Sequence, residues 1–406
     1  MPNTPKPDNI QLILTDKFKD VHFSIRYLSD NREPQVTMRN LLAYLMIDRN
    51  EHYPTKQSIN LKTDELFALS FDVKTTSYGT KHVLEMKFNT LSERYSKEAH
   101  LNDAFDFIQD CLTHPLINEE TLAEAKQNMR SNLLRLSDKP NTLAAMNAYA
   151  LGGRGEPLSV FSQGRIDVMD SITVDQLRSY HQSLLQEDDV FVIGIGQMDP
   201  SVKVRLSSFV HKPKSFVNSA YCVSDKPFVE EKLAKKVKQT ALVTLYRCGI
   251  NNTDPSYMAT RLMSYLLGQL PNSLLFAEIR EKRNLCYSIY SNLLHYDGIL
   301  SVHTGISKKQ RDLVLSLIDE QIETIRNDGF SETLFQSAKA LMINNYQGIE
   351  DDVSSWMNLI FSAWLLDKPF DMKQILKEVD AVDRQSIVKA AQNLKKLCTF
   401  TVTGQE

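Results

Sequence analysis

Leu41-Leu42-Ala43-Tyr44-Leu45-Met46, "LLAYLM", has a counterpart in Leu262-Met263-Ser264-Tyr265-Leu266-Leu267, "LMSYLL", 221 residues later. Read alone, the first copy belongs to an amphipathic helix. Met38, Leu41, Leu42, Leu45 and Met46 fall at i, i+3, i+4, i+7 and i+8, a single apolar stripe. Read as a pair, the two copies raise the question of whether the whole chain is a duplication. Further matches answer it. The alternation of Leu66 to Phe71 returns in Cys286 to Ser291, and the turn at Gly79 returns at Gly298. Thr121-Leu122 recurs as Thr333-Leu334 and Ala125-Lys126 as Ala338-Lys339. Val174-Asp175 recurs as Val382-Asp383, and Gly196-Gln197 as Gly404-Gln405. The order is kept while the offset drifts only from 221 to 208 residues, as small deletions in a second copy would produce.

Each copy has one plan. A strand (Val21 to Leu28, or Ala241 to Cys248) leads to the striped helix and then to a hairpin. The hairpin loops are read at 74–80 and 295–298. Two helices follow, near 100–113 and 119–136 or 307–327 and 331–346, then a last helix and a closing strand, Val190 to Gly196 or Cys398 to Gly404. This order predicts an α+β fold of two homologous lobes, residues 1–212 and 213–406. Each lobe is a mostly antiparallel sheet with helices packed on one face. The lobes are expected to face each other across a cleft. The stretch 207–239, with Pro213 and Pro227, reads as the linker, and Val217 and Tyr221 suggest that it lies against something.

Composition narrows the function. At 406 residues the chain exceeds one ordinary core, and 42% hydrophobic with 24% charged residues is a globular balance. A formal net charge of −3 offers nucleic acid or an anionic membrane nothing to bind. No apolar run is long enough to span a bilayer, and Met1 to Asn9 does not read as a signal peptide. Cys111, Cys222, Cys248, Cys286 and Cys398 are scattered, odd in number and without a CxxC pair. That pattern argues against a disulfide framework or cysteine-rich zinc site and suits a cytoplasmic location.

The stretch "LFAEIREKRNLCYSIYS", 275–291, passes from helical spacing to strand alternation, with Arg280 before the boundary and Tyr287 after it. On local grounds these are a helix-end salt bridge and a half-buried strand aromatic. Two α/β halves with "REKRNLCY" in the second resemble the pitrilysin/insulinase-like, or inverzincin, zinc metallopeptidases over nearly the whole chain. That family carries H-x-x-E-H on the first helix of its first half and a third zinc ligand on a helix far downstream. In its second half an arginine and a tyrosine seven residues later bind the substrate backbone. Arg280 and Tyr287 match that spacing, although Asn284 stands where the family commonly has glycine.

The zinc motif does not match. By order of elements its place is taken by Leu41-Leu42-Ala43-Tyr44-Leu45, and Asn132 stands for the downstream ligand. Leu41 and Leu45 offer no lone pair, Tyr44 is no carboxylate base, and an amide is a poor zinc ligand. Asp48-Arg49-Asn50-Glu51-His52 keeps only the E-H ending, and Pro54 and Asn50 argue that it is a loop. His100, His114, His181, His211, His295 and His303 show no partner at metal spacing and read as surface or locally hydrogen-bonded residues. His22 and His82 fall in strands.

The resemblance thus implies a non-catalytic subunit of a heteromeric zinc metallopeptidase. It would bind no metal itself and would act on peptide substrates with a homologous zinc-bearing partner, as a heterodimer. Two rivals remain: a stand-alone peptide-binding or scaffold protein, and an active peptidase with a zinc site relocated to Glu51 and His52.

Overall fold

The computed structural model describes residues 8–404, so Gln405 of the repeat and the stretch Met1 to Pro7 lie outside the described residues. It forms two compact units. One comprises Met1–Leu133, Ser162–Ser219 and Ile349–Phe370; the other comprises Leu134–Phe161, Ala220–Gly348 and Asp371–Glu406.

In the first unit the strands are β1 (Ile10–Leu14), β2 (Asp20–Asp30), β3 (Ser70–Tyr78), β4 (Lys81–Leu91) and β5 (Asp189–Gly196), in the order β1-β5-β2-β4-β3. In the second they are β6 (Val229–Lys235), β7 (Thr240–Arg247), β8 (Cys286–Leu294), β9 (Ile299–Ile306) and β10 (Lys395–Gly404), in the order β6-β10-β7-β9-β8. The topologies are identical. In each, the last strand lies between the first, which it meets in parallel, and the second, which it meets antiparallel. Gly196 and Gly404 therefore close equivalent strands. Gly79 and Gly298 turn equivalent hairpins at φ +61° and +66°, a conformation that favours glycine. The first copy of the opening repeat lies on the helix Gln35–Asp48 and the second on the helix Tyr257–Ser264 with the π-helical segment Tyr265–Gln269; each helix follows the second strand of its sheet.

The α+β reading with two lobes holds, with three amendments. The stretch 207–239 is more than a linker, because it contains β6, whose exposed sequence VEEKLAK hides its role as an edge strand. Within it Tyr221 accepts a hydrogen bond from the Leu158 N–H at 2.8 Å, but Val217 is exposed. The hairpin loop expected at 74–80 is shorter, since residues 74–78 continue β3.

The third amendment concerns coverage. The compact units cut across the boundary at 212/213, because each sheet is covered on its second face by a helix from the other half of the sequence. On β2, Phe23 turns towards the helix Leu101–Thr113, its ring 4.8 Å from Phe105 and 4.9 Å from Phe88. The alternate residues Ser24 and Arg26 face the helix Val353–Leu365. On β7, Tyr246 donates to Asp319 of the helix Arg311–Arg326 at 2.7 Å. Ala241, Val243 and Leu245 pack instead with Ala144, Ala148 and Leu151 of the helix Pro140–Gly152.

The two exchanged helices are held by different chemistry. Ala144, Ala148 and Gly152 form a small-residue stripe at a spacing of four, which lets that helix approach the strands closely. A Cβ on Gly152 would lie 3.0 Å from Leu245 Cδ1 and 3.2 Å from Cys398 Sγ. In the first unit the contact is polar and aromatic. Arg26, with 2% of its side chain exposed, pairs with Glu85 at 2.7 Å and donates to Asn358 Oδ1 at 2.7 Å. Its guanidinium lies 4.2 Å from the Phe361 ring. Phe361 and Trp364 pack on Phe191 at 5.3 and 5.1 Å. Burial pushes the Glu85 carboxyl up, but Arg26, Ser24 and Lys74 outweigh it and hold the group below the usual glutamate range.

Two substitutions test this arrangement in chemical denaturation. Ala148→Leu overpacks the small-residue stripe and is expected to cost about 1–3 kcal/mol. Arg26→Ala leaves Glu85 buried without its partner and is expected to cost about 3–5 kcal/mol at neutral pH. Because the folded carboxyl is held low, its contribution is full above the unfolded value of about 4.3 and is lost as pH falls through the lower folded value. The gap between wild type and Arg26→Ala should therefore narrow in acid.

Candidate functional site

The helix Gln35–Asp48 is buried along most of its length, with Leu41 at 0% and Leu45 at 2% exposure. It is fixed at one point by Arg39. This buried guanidinium donates to the Tyr27 carbonyl at 2.9 Å and to the Tyr180 hydroxyl at 3.0 Å, and it pairs with Asp188. Tyr44 is half-buried on the same helix, and Asn132 is half-buried on the helix Glu119–Ser137. A shared loop ties the two helices together. A Cβ built on Gly164, at φ +77°, would come within 2.6 Å of Met129 Cε and 2.8 Å of Thr37 Oγ1. The neighbouring Ser162 carbonyl accepts from Asn40 Nδ2 at 2.9 Å and lies 3.0 Å from His82 Nε2. Burial draws the His82 imidazole down to about 3, so it is neutral at physiological pH.

These residues do not fit zinc. The two positions that would supply imidazole hold aliphatic side chains packed in the core, and the third holds an amide. Nor does the helix extend to His52, for it ends at Asp48, and Arg49 is extended at φ −155°, ψ 153°. Asp48 and His52 therefore do not share a helical face.

Arg280 and Tyr287, by contrast, are brought together. Arg280 lies on the π-helical segment Phe276–Lys282, and its guanidinium sits 4.5 Å from the Phe276 ring and 5.4 Å from the Tyr287 ring. The expected alternative, a helix-end salt bridge, is not formed. Glu278 pairs instead with Lys282 at 2.9 Å and Arg283 at 2.8 Å, and among the described residues Arg280 makes no ion pair. Its donors are not committed to a carboxylate. The turn between the two residues is also accounted for. Asn284 adopts φ +53°, and the Asn284 and Leu285 N–H groups donate to the carbonyls of Arg280 and Ile279 at 3.0 Å each. Asparagine is among the few residues that enter this left-handed region readily, so it does here what glycine would do.

Tyr287 is not the half-buried aromatic expected from alternation, for it is 81% exposed. The cause is a bulge. The β8–β9 register slips between Cys286 and Ile289, so Tyr287 and Ser288 both turn outward before alternation resumes. Strand β8 is the sheet's edge. Tyr290, also exposed, stacks on His303 of β9 at 4.9 Å with an interplanar angle of 5°. The Tyr149 hydroxyl, on the exchanged helix, lies 3.5 Å from His303 Nε2. Burial holds His303 at about 4, so this ring too is neutral.

The other histidines divide differently from the sequence reading. His100 is buried but locally hydrogen-bonded, its Nδ1 3.0 Å from the Glu98 carbonyl, whereas His181 is buried with its Nε2 2.8 Å from the distant Leu112 carbonyl. His295 Nδ1 lies 2.6 Å from the Tyr257 hydroxyl. His114 has partners after all: with His52 and Asp110 it forms a group whose ligand atoms lie within 4.8 Å of one another. Sequence spacing could not show this, since His52 and His114 are far apart along the chain.

Residues 171–342 match the family described as "Peptidase M16 inactive domain". The chain is 24% identical to the "Probable inactive metalloprotease YmfF" of Bacillus subtilis (strain 168), across 97% of this chain and 95% of the relative. A conserved protein from Enterococcus faecalis V583 shares the fold with a TM-score of 0.91 at 24% identity, covering 98% of this chain and 96% of that one. A peptidase M16 inactive domain from Pseudomonas fluorescens shares it with a TM-score of 0.81 at 14% identity, over 98% and 96% of the two chains.

The turn geometry makes a direct prediction. Asn284→Gly should leave thermal stability nearly unchanged. Asn284→Val, a β-branched residue at positive φ, is expected to cost about 1–2 kcal/mol.

Proposed function

We propose that this chain, a homologue of peptidase M16 proteins similar over 97% of its length to a probable inactive metalloprotease, is a non-catalytic subunit of a heteromeric metallopeptidase in which Leu41, Leu45 and Asn132 stand at the zinc-ligand positions. The observation that carries this reading is the split between its two halves. The first has filled the metal position with core side chains. The second holds the Arg280 guanidinium 5.4 Å from the ring of the exposed Tyr287, with no ion pair to Arg280 among the described residues.

In this reading zinc belongs to a homologous partner chain and the substrate is an extended peptide. An edge strand such as β8 can accept such a peptide as an added strand, and the remaining carbonyls are then open to side-chain donors. Arg280 supplies several fixed N–H donors and Tyr287 one hydroxyl. The inactivity named for the Bacillus relative supports the same assignment. The five cysteines, all free and four of them buried, suit a reducing cytoplasm.

The test is reconstitution. Purified alone, with or without added zinc, the chain should hydrolyse no peptide. Combined with a zinc-bearing homologue from the same cells, it should support turnover. Arg280→Ala and Tyr287→Phe should each lower that turnover, by about 10²–10³ where the lost donor meets developing oxyanion charge, while assembly and zinc content stay unchanged. Chelator-sensitive hydrolysis by the isolated chain would overturn the reading, as would unaltered kinetics of both variants in an assembled complex.

A further inference from the structure

A second group of chemistry-bearing side chains lies apart from Arg280 and Tyr287, in the first unit. His52 follows the end of the helix Gln35–Asp48, while Asp110 and His114 stand one turn apart at the C-terminal end of the helix Leu101–Thr113. His52 Nδ1 is 3.2 Å from one Asp110 oxygen, and His114 Nδ1 is 3.5 Å from the other. The two rings are 5.5 Å apart. Two imidazoles and a carboxylate are the donors that zinc and its neighbours in the first transition row prefer, whereas calcium and magnesium take oxygen ligands.

The backbone that carries these donors is fastened at several points. Glu51 N–H donates to the His114 carbonyl at 3.0 Å, and Leu116 N–H donates to the Arg49 carbonyl at 3.2 Å. Asn50, fully buried, acts as a bolt between the two segments. Its Oδ1 accepts from the N–H groups of His52 at 3.0 Å and Tyr53 at 2.7 Å, and its Nδ2 points to Cys111 Sγ at 3.4 Å. Tyr53 packs edge-on against Phe107 of the same helix, at 5.5 Å. His114 Nδ1 lies 2.9 Å from the Thr113 hydroxyl, which donates to the Gln109 carbonyl at 2.7 Å. Thus the main chain is fixed, while the two rings at its tip are exposed and already turned toward Asp110.

From this geometry we propose that His52, Asp110 and His114 form a binding site for one divalent transition-metal ion of the zinc class. Ligand bonds of about 2.0–2.2 Å place tetrahedral donors about 3.3–3.6 Å apart. The observed group needs only small side-chain rotations to reach that, and water completes the coordination on the open side. Glu51 is not among the three ligands. The E-H ending noted in the sequence therefore supplies one histidine and no base, and the site clips a loop to a helix. It stands independently of the subunit reading, since none of Leu41, Leu45, Asn132, Arg280 or Tyr287 takes part.

The experiment uses the full chain, stripped of metal and titrated calorimetrically with Zn²⁺. Saturable uptake of about one ion per chain is expected, and His52→Ala and His114→Ala should each weaken it by at least roughly 10–100-fold. Both side chains are exposed, and circular dichroism should show both variants folded. Zinc should raise the melting midpoint of the wild type but not of the variants. Absence of saturable uptake would overturn the proposal, and so would equal uptake by the double variant. Peptide hydrolysis by the zinc-loaded chain, abolished in His52→Ala, would support the metal site and sink the subunit reading.

Discussion

A β-sheet buried on both faces needs two covers, and in each unit one of the two comes from the other half of the sequence. That reciprocity organises the structure. The helices nearest in sequence take the face lined by Phe23 and Phe88, or by Tyr246. The second face must be closed from elsewhere, because strands such as β5 and β10, buried on both sides, would otherwise leave apolar surface in water. The solution is reciprocal: one helix from each half crosses to the other's sheet. The two crossings differ in chemistry. Pro140–Gly152 relies on small residues and close approach, which favours dispersion contacts over polar ones. Val353–Leu365 meets a charged strand face, and there the Arg26–Glu85 pair must be complete, since half of it would be worse than none.

The same economy accounts for leucine at positions 41 and 45. A helix buried in the core must either hydrogen-bond its polar side chains or do without them. Burying a leucine side chain contributes about 1.5–3 kcal/mol relative to leaving it exposed, whereas an unpartnered buried polar group costs energy. Leu41 and Leu45 make that face of their helix part of the core. No such force acts on Arg280 and Tyr287. Tyr287 is a large aromatic held out in solvent by a bulge, a placement that core packing does not reward.

Much of this was legible in the sequence, and the gaps have physical reasons. The duplication is readable because side-chain periodicity survives divergence, which fixes the longer strands and helices close to their observed ends but leaves the first hairpin's loop too long. The exchange of helices could not, because an apolar stripe shows that a face is buried without showing what buries it. β6 was hidden by its composition, as an exposed edge strand needs no alternation. The pairing of Arg280 with Tyr287 followed from spacing, but the exposure of Tyr287 did not, since one extra residue in a strand inverts the expected side. The contact between His52 and His114 depends on Asn50 folding a loop back on a helix, a tertiary event that spacing along the chain does not encode.

The crossing helices also bear on how such a chain could have arisen. A single repeat, standing alone, would own one sheet with a bare face and one helix with no sheet to rest on. A second identical repeat supplies both deficits at once, which is the geometry of a domain-swapped homodimer. Joining two such copies in one gene makes the exchange intramolecular, so that it no longer depends on protein concentration. It also releases the copies from identity. Each surface needs to match only its one partner, so one crossing can keep alanine and glycine while the other keeps an arginine, a glutamate and a cluster of aromatic rings.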